Sequence, residues 1–344
     1  MNISLPGSEQ FLPDAPRARM LSLAALAVLA LAAIAFVFPA LLPLKGESST
    51  ARVSTAVYPS SVAWTLQQPG EGEWLMPADA VRIGEAIFVA DTGNNRILKL
   101  EQDGRRVTVL GSHGDAGPAL QMPMAIATDG QRLFIANSLG GNVVVLDPSG
   151  RLESIIALPA DATGGTPRPI GLAVTGDGGL VVSDAEHHRV LRLNATGALV
   201  WSTGTGTRAG GVEGFNVPAA LTVDDAGNIY VVDTLNARVV ELSPAGLFVR
   251  QVGERGDTAG TLARPKGVAV SETGDIFVSD GLLAAVEVFD ASGGYLGLIG
   301  RQDPTDPKSS SVLVAPAGIS LVGRSLLVAD RHAGLVAFDL GNRR

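Results

Sequence analysis

Six copies of one sequence pattern constrain the fold of this chain more than any other feature. Each copy contains a proline that opens an apolar stretch, and successive prolines are separated by 46, 46, 49, 47 and 51 residues. Downstream of each proline, a short run of strand-forming residues ends in Asp or Asn. Two landmarks that share one period indicate a repeat architecture. The prolines are Pro77, Pro123, Pro169, Pro218, Pro265 and Pro316, and the run-ending residues are Asp91, Asn137, Asp184, Asp233, Asp280 and Asp330.

The fourth copy shows how one repeat is built. Its apolar runs Ala220–Val223, Ile229–Val232, Arg238–Leu242 and Leu247–Val252 are separated by turns rich in Gly, Asn, Asp and Pro. Short runs with this punctuation are typical of antiparallel strands joined by tight turns. Four such strands in each repeat of about 47 residues, repeated six times, predict an all-β fold, the six-bladed β-propeller.

The two ends of the repeat region predict how the ring closes. The last repeat ends with the run Leu335–Phe338 and lacks an outermost strand, whereas the strand-like run Val62–Leu66 belongs to no repeat. We therefore expect the amino-terminal run to complete the last blade, because this would remove an exposed sheet edge. The predicted propeller domain is residues 60–344, with the strand at 62–66 closing the last blade.

Two of the repeats contain residues that resemble the NHL repeat. Pro218–Asp233 is followed by Asn236 and Arg238, and the first repeat contains the run Asp-Thr-Gly-Asn-Asn-Arg that ends at Arg96. The second, fifth and sixth repeats keep the strand pattern but lack the Asn-x-Arg element. The resemblance implies a six-bladed propeller over about residues 60–340. It leaves function open, because NHL-type propellers include scaffolds, sensors, RNA binders and a few enzymes.

An apolar segment near the amino terminus predicts a membrane anchor. Residues 21–44 contain Ser22 as their only polar side chain, and as a helix they would extend about 36 Å, enough to cross a bilayer core of ~30 Å. A cleavable signal peptide would have an apolar stretch of about 7–15 residues, so we favour an uncleaved anchor helix over a cleaved signal. The prediction is a tail at 1–20, a transmembrane helix at 21–44 and a tether at 45–59.

The basic residues around this segment give only a weak indication of its orientation. Arg17 and Arg19 precede the segment, and Lys45 and Arg52 follow it, so the two sides carry equal numbers. Arg17 and Arg19 both lie within four residues of the apolar run, whereas Arg52 lies eight residues beyond it, which favours a cytoplasmic tail. We therefore expect a single-pass membrane protein with an extracytoplasmic propeller.

Composition excludes some functions and opposes others. The chain has no cysteine, which excludes disulfides, thiolate metal sites and a cysteine nucleophile. Its net charge of −8 opposes nucleic-acid binding. Four histidines, His113, His187, His188 and His332, are expected on one face of the ring and suggest a metal site. Against it, blades three and six are opposite each other, so we expect their loops to lie about 20 Å apart, too far to share one zinc ion. We predict no metal and no cofactor.

The acidic residues at the ends of the strand-forming runs permit two interpretations. They could form a ring that binds cations, or each could accept hydrogen bonds from backbone N–H groups at its own strand-to-loop corner. The second interpretation is favoured, because buried corner amides need partners in every blade. Arg96, Arg189 and Arg238 each follow such an acid by five residues, and we expect them to connect strands or blades rather than to bind a ligand.

Residues just after the six prolines should surround one mouth of the central channel. Most of them are apolar; the exceptions are Asp79 and Lys266, which could pair across the mouth or contact a small polar ligand. Propeller enzymes similar to the amidating lyase carry zinc-binding histidines after such prolines, and none of the six prolines here is followed by His. Asp79 and Lys266 also lack a third group that would complete a catalytic set.

Long, Gly-rich connectors between repeats are the expected recognition surface, since loops on a rigid scaffold commonly carry binding sites. The leading prediction is a non-catalytic scaffold or sensor for an extracytoplasmic protein or small ligand. The alternative is an enzyme, a metal-dependent hydrolase or lyase with its site at the channel mouth. The candidate contact residues are Trp74, Asp79, His187, His188, Arg208, Phe215, Arg255, Arg264, Lys266, Arg331 and His332.

Overall fold

A computed structural model describes most of the repeat region. In these residues, 24 strands form six four-stranded antiparallel sheets, which confirms the six-bladed, all-β architecture. No helix among them has the length and apolar composition needed to cross a membrane. The predicted anchor at 21–44 lies outside the described residues, as does most of the tether. The described residues are 58–67, 74–101, 107–111, 119–161, 164–301 and 310–341.

Each blade is one sheet whose strands follow one another from the channel outward. Strand β1 is Ser60–Leu66. Blade one contains β2 (Pro77–Ile83), β3 (Ala86–Asp91), β4 (Arg96–Leu100) and β5 (Val107–Leu110), and blade two contains β6 (Pro123–Thr128), β7 (Leu133–Asn137), β8 (Asn142–Leu146) and β9 (Leu152–Ala157). Blade three contains β10 (Pro169–Val174), β11 (Leu180–Asp184), β12 (Arg189–Leu193) and β13 (Leu199–Thr203).

The remaining three blades repeat this order. Blade four contains β14 (Pro218–Val223), β15 (Ile229–Asp233), β16 (Arg238–Leu242) and β17 (Phe248–Val252), and blade five contains β18 (Pro265–Val270), β19 (Ile276–Asp280), β20 (Ala285–Phe289) and β21 (Tyr295–Ile299). Blade six contains β22 (Pro316–Val322), β23 (Ser325–Asp330) and β24 (Gly334–Leu340), with β1 as its fourth strand. Short 3-10 turns at Thr92–Asn94 and Thr234–Asn236 follow β3 and β15.

Burial along the strands follows from the stacking of the blades. Every residue of β15 is buried, because the second strand of a blade contacts neighbouring sheets on both faces. The outermost strand β9 is mostly exposed, since it lies at the rim. The core is accordingly divided into clusters between blades, such as the one in which Phe134 and Val145 pack with Leu172 and Leu191.

The ring closes through the amino-terminal strand β1. Leu66 pairs with Leu335 and Ser60 with Leu340, so β1 lies antiparallel to β24. The run that the sequence places at Val62–Leu66 is part of this strand. Just before it, the hydroxyl of Tyr58 donates a hydrogen bond to Asp275 of blade five over 3.1 Å. The closing segment is thus held by hydrogen bonds to two blades.

The six innermost strands surround a channel with a cavity of about 250 Å³. The second residue after the proline is small in five blades, which lets neighbouring inner strands approach closely. A Cβ atom on Gly318, for example, would lie 2.6 Å from the carbonyl oxygen of Ala78. In blade one the same position is Asp79, a carboxylate among small residues.

Candidate functional site

One face of the ring carries all the candidate contact residues, and we call it the mouth face. It is the face on which the inner strands begin at the six prolines and the second strands end at Asp or Asn. Because the strands alternate in direction, the connectors between blades and the loops after the second strands both lie here. The opposite face carries the tight turns, such as the one at 243–247.

The strand-ending acids satisfy backbone amides on this face. In blade five the carboxylate of Asp280 accepts hydrogen bonds from the N–H groups of Ala263 and Arg264, both 2.8 Å, and of Leu282 and Leu283, 2.9 and 3.0 Å. The carboxylate is completely buried. This arrangement confirms the interpretation that the acid stabilises the strand-to-loop corner.

Blade six has the same arrangement around Asp330. Its carboxylate accepts hydrogen bonds from the N–H groups of Val314, Ala315, His332 and Ala333, at 2.8 to 2.9 Å. Each of these acids therefore joins the connector that enters its blade to the loop that leaves the second strand. Acceptors that are already occupied by four amides have little capacity left for a ligand.

In three blades an arginine from the third strand also pairs with the acid. Arg96 Nε lies 2.6 Å from Asp91, and Arg238 Nε lies 2.9 Å from Asp233. Arg238 also donates to the carbonyl oxygens of two glycines in the preceding connector. Blade three has the equivalent pair of Arg189 and Asp184, 3.0 Å apart. These arginines connect strands and a connector within the scaffold, as the sequence predicts.

The two adjacent histidines are built into the scaffold. His187 Nδ1 lies 2.7 Å from the carboxylate of Asp184, and its Nε2 lies 2.9 Å from the carbonyl oxygen of Gly164. Burial lowers the pKa of His187, but these hydrogen bonds and the charges of Asp184 and Asp161 outweigh it, so the pKa is raised. Both ring nitrogens face acceptors, which fits a protonated ring that donates twice.

His188 has the opposite electrostatics. Its Nδ1 accepts a hydrogen bond from the N–H of Val217 over 3.0 Å. Burial, followed by the charge of Arg208, lowers the pKa of His188. Although His187 and His188 are adjacent in the sequence, their rings bind different backbone groups, the carbonyl oxygen of Gly164 and the N–H of Val217. In the described ranges no three His, Asp or Glu side chains are grouped so that they could hold a metal ion. His113 lies outside those ranges.

Two of the aromatic candidates are core residues rather than surface contacts. Trp74 is 8% exposed and packs in the cluster that joins blades six and one, and Phe215 is 2% exposed and packs between blades three and four. The sequence placed both residues in connectors, but their rings fold inward because the connectors cover the ends of the interblade cores. Packing accounts for these two side chains.

Asp79 is part of the channel lining near the mouth. Its carboxylate accepts hydrogen bonds from the N–H groups of Ala80 and Ile126, over 2.9 and 3.0 Å, and so joins blades one and two. Burial outweighs these hydrogen bonds and raises the pKa of Asp79 to about 7. The suggested pair with Lys266 is wrong, because the structure contains no ion pair between these two residues.

Lys266 instead lies with two other cations. Burial, followed by the positive charges of Arg331 and Arg264, lowers the pKa of Lys266 to about 8. Burial and the charge of Arg264 also lower the pKa of Arg331. We call Arg264, Lys266 and Arg331 the cation cluster; all three are half-buried. The sequence suggests each of the three as a contact residue, but no sequence pattern predicts that they lie close together.

The other candidates remain on the surface. Arg208, Arg255 and His332 are exposed. Arg255 donates from Nη2 to the carbonyl oxygen of Leu235 over 2.6 Å, which joins two connecting loops of the mouth face. These residues are available to a partner, whereas His187, His188, Trp74 and Phe215 are not.

Comparison with known proteins supports the type of repeat. Residues 166–193, which include the first three strands of blade three, match the family model of the NHL repeat. The mouse protein named NHL repeat-containing protein 3 is 35% identical over 117 residues, which are 32% of this chain and 34% of that protein.

The proteins similar to this chain also include one with an enzyme name. A Caenorhabditis elegans protein, described as a probable peptidyl-alpha-hydroxyglycine alpha-amidating lyase, is 31% identical over 125 residues, or 34% of this chain and 35% of that protein. This chain thus spans about a third of the length of these two curated relatives.

A solved structure agrees with the propeller fold. A catalytically inactive virginiamycin B lyase from Staphylococcus aureus is similar over 80% of this chain and 83% of its own, with a TM-score of 0.57 and 14% sequence identity. At this identity the likeness shows the fold alone, because one fold carries many functions.

Proposed function

We propose that this protein is a non-catalytic binding scaffold or sensor that recognises an extracytoplasmic ligand or protein through the mouth face. The observation that carries the proposal is the cation cluster, in which three half-buried charges have no partner within the described part of the chain. Charges in such surroundings are typical of sites that contact something else. The strand-ending acids, by contrast, are fully used by the scaffold.

Exposed apolar side chains on the same face support this proposal. Leu139, Leu235 and Leu282 occupy equivalent positions, two residues after the strand-ending residue of blades two, four and five, and are 48%, 38% and 44% exposed. Exposed leucines in loops are characteristic of recognition surfaces when they lie near one another. Together with the connectors, they place contact area around the charged mouth.

Site-specific photo-crosslinking tests which face binds. A photoreactive amino acid would replace Leu235 or Leu282 on the mouth face of the full-length protein in its native membrane. Leu247, in the same blade as Leu235 but in a turn on the opposite face, is the matched control and is 67% exposed. We expect adducts from the two mouth-face positions and none from position 247. Adducts from position 247 alone would contradict the proposal.

We further propose that residues 21–44 anchor the chain as a single-pass membrane protein, with the propeller on the extracytoplasmic side. The support is the uninterrupted apolar composition of this segment. The full chain should stay in the membrane pellet at alkaline pH. A variant with Val28→Arg and Ile34→Arg should be extracted, because each arginine costs about 2.5–3.5 kcal/mol at the centre of a helix. Extraction of the unmodified chain would exclude the anchor.

A second candidate function, an enzyme at the channel mouth, is favoured by one observation. Asp79 has a pKa of about 7 and Lys266 a pKa of about 8, values near those that proton transfer at neutral pH requires. The relative in Caenorhabditis elegans is named as a lyase. Elemental analysis of the purified full chain separates the alternatives. One tightly held zinc or calcium ion per chain, lost in Asp79→Asn, would favour a metal-dependent hydrolase or lyase over the scaffold.

A further inference from the structure

Four cationic side chains differ from all the other lysines and arginines in the described ranges. Arg208, Arg264, Lys266 and Arg331 have neither a hydrogen-bond nor an ion-pair partner there. Arg208 is exposed and remains hydrated, but the other three are half-buried. A half-buried cation without an acceptor has lost part of its hydration without replacement, which costs free energy.

The three half-buried cations come from two neighbouring blades. Arg264 and Lys266 stand on either side of Pro265, where β18 begins in blade five, and Arg331 directly follows the end of β23 in blade six. The charges of Arg264 and Arg331 both act on Lys266. Like charges therefore converge where inner strands begin, although the chain as a whole carries a net charge of −8.

Two carboxylates oppose this positive charge, but neither binds a side chain of the cluster. Asp280 is the acid whose charge acts on Lys266, and Asp330 is the acid whose charge acts on Arg331. Each carboxylate is completely buried and already accepts four backbone N–H groups. The cluster thus has nearby negative charge without a hydrogen-bond acceptor of its own.

Blade three shows how the scaffold supplies such an acceptor elsewhere. Arg168 is the residue before the proline of blade three, as Arg264 is in blade five. Nε of Arg168 lies 3.9 Å from the carboxylate of Glu186, two residues after the strand-ending acid. The equivalent position in blade five is Leu282. The repeat therefore offers a position for an internal counter-ion, and blade five leaves it apolar.

We propose that Arg264, Lys266 and Arg331 form a binding site for an oxyanion, the carboxylate, sulfate or phosphate group of a small soluble ligand. This inference rests on the proposed function, since it assigns the chemistry of a ligand bound at the mouth face. Two guanidinium groups can each give paired hydrogen bonds to an oxyanion, and the ammonium adds a compact charge. The oxygen atoms of the anion would supply the hydrogen-bond acceptors that the three cationic side chains lack in the described ranges.

The surroundings of the cluster favour a small anionic group over an extended polyanion. The three cations are half-buried at the mouth, so a terminal group can reach them, whereas a long backbone would contact the acidic remainder of the surface. Positive charge concentrated in partly desolvated surroundings also attracts anions from a distance. The half-buried cations and the negative net charge of the chain therefore both favour a ligand with a single anionic group.

Titration calorimetry with the full chain in detergent tests the site. Sulfate and acetate are suitable probes, because each keeps a constant charge between about pH 6 and pH 9. We expect saturable binding of at least one probe. Lys266→Met and Arg331→Gln should each weaken it about tenfold, the effect of removing one charged hydrogen-bond donor. Arg151→Gln, which removes an exposed cation from a turn on the opposite face, should leave it unchanged. The stronger probe identifies the class of oxyanion.

A gain of internal charge provides an independent test. Leu282→Glu should place a carboxylate beside Arg264, as Glu186 lies beside Arg168, and so weaken binding more than tenfold without removing any cation. Leu247→Glu, the same change in an exposed turn on the opposite face, is the matched control and should alter binding less than twofold. Lys266→Arg should keep its affinity at pH 9, where the unmodified protein loses affinity as Lys266 deprotonates beside Arg264, Arg331 and Asp280.

Two results would overturn the oxyanion site. One is no binding of either probe by the unmodified protein, and the other is unchanged binding in both Lys266→Met and Arg331→Gln. Photo-crosslinking from positions 235 and 282 reports separately on the mouth face. Adducts there without anion binding would reject this inference and keep the proposed function. Anion binding without adducts would keep the inference and favour a small ligand over a protein partner at the mouth face.

Discussion

Blades one, three and four differ from blades five and six in what surrounds the acid at the end of the second strand. In blade four, Asp233 pairs with Arg238 and accepts the N–H of Asn216 over 2.7 Å. In blade five, Asp280 has no arginine partner and accepts four backbone amides. Both carboxylates are completely buried. The acid is therefore retained for its backbone hydrogen bonds, and the arginine is an addition.

The same comparison explains where the unpaired charge lies. Where the third strand begins with arginine, that cation is neutralised by the acid of its own blade. In blades five and six the third strands begin with Ala285 and Gly334, and the cations stand instead at Arg264, Lys266 and Arg331. Cations in the first arrangement hold the scaffold together, whereas the side chains in the second have no hydrogen-bond or ion-pair partner in the described ranges.

The largest expected effect comes from removing the acid in either kind of blade. Asp233→Ala and Asp280→Ala should each lower the free energy of unfolding by about 3–5 kcal/mol, because buried donors lose their acceptor. Urea denaturation of the full chain in detergent measures this. Glu153→Ala, on an exposed outer strand, is the control and should change stability by less than about 0.5 kcal/mol. A loss of stability in Asp233→Ala without one in Asp280→Ala would show that the acid stabilises a blade mainly by pairing with arginine.

A smaller effect on stability is expected when the acid–arginine pair of blade four is replaced by the pair of asparagines found in blade two. Blade two uses Asn137 and Asn142, whose side chains are 3.1 Å apart, in place of the acid and arginine. The double variant Asp233→Asn with Arg238→Asn should be more stable than Asp233→Asn alone by about 1–2 kcal/mol, because no guanidinium is left unpaired. Strictly additive losses in the two single variants would show that the pair is not coupled. Urea denaturation of all three variants checks this.

Lys266→Met should stabilise the protein by about 1–2 kcal/mol at pH 7, because it removes a half-buried charge that two arginines repel. The pKa of Lys266 falls from 10.5 to about 8 on folding. Between these values the unfolded chain binds more protons, so the stability of the unmodified protein should rise with pH and approach that of the variant.

Thermal denaturation of Lys266→Met at several pH values measures the effect, and Lys99→Met is the matched control. The Lys99 ammonium donates to the carbonyl oxygen of Pro148 over 3.0 Å, so its removal should cost stability. Loss of stability in Lys266→Met would mean that the cluster is satisfied within the chain.

The smallest expected effect concerns His187 in blade three. Its pKa is raised above the usual 6.5, since hydrogen bonds to Asp184 and Gly164 outweigh burial. Its contribution to stability should be complete below that value and be lost as pH rises through the folded-state pKa. His187→Gln should therefore cost about 0.5–1 kcal/mol at pH 5.5 and less at pH 8.5. Equal losses at both pH values would contradict the assignment.

The repeat pattern is sufficient to predict the blades, because every blade has the same order of strands and turns and buries the same positions. The fourth repeat was predicted to contain Ile229–Val232 and Arg238–Leu242 as strands, and both are strands, the first extending to Asp233. Alternating apolar runs and turn residues are local signals, so they can be read along the chain. The role of the strand-ending acids was predictable for the same reason, since the motif recurs in every blade.

Side-chain direction within the connectors was not predictable in this way. Trp74 and Phe215 stand in irregular segments, where no period indicates which residues face inward. The pairing suggested for Asp79 and Lys266 is absent, since Asp79 accepts backbone N–H groups of blades one and two, whereas Lys266 lies near Arg264 and Arg331. Irregular backbone carries no periodic signal from which such directions could be inferred.

The sequence by itself determined the number of blades, the four strands in each and the residues that hold the corners, because these follow from short-range patterns repeated six times. Only the tertiary structure decided that Arg264 and Lys266 meet Arg331, which is 65 residues after Lys266. Lys266, in the inner strand of blade five, and Arg331, after the second strand of blade six, are far apart in sequence, and only the folded ring brings their charges close enough to interact. The electrostatics of the mouth depend on that proximity.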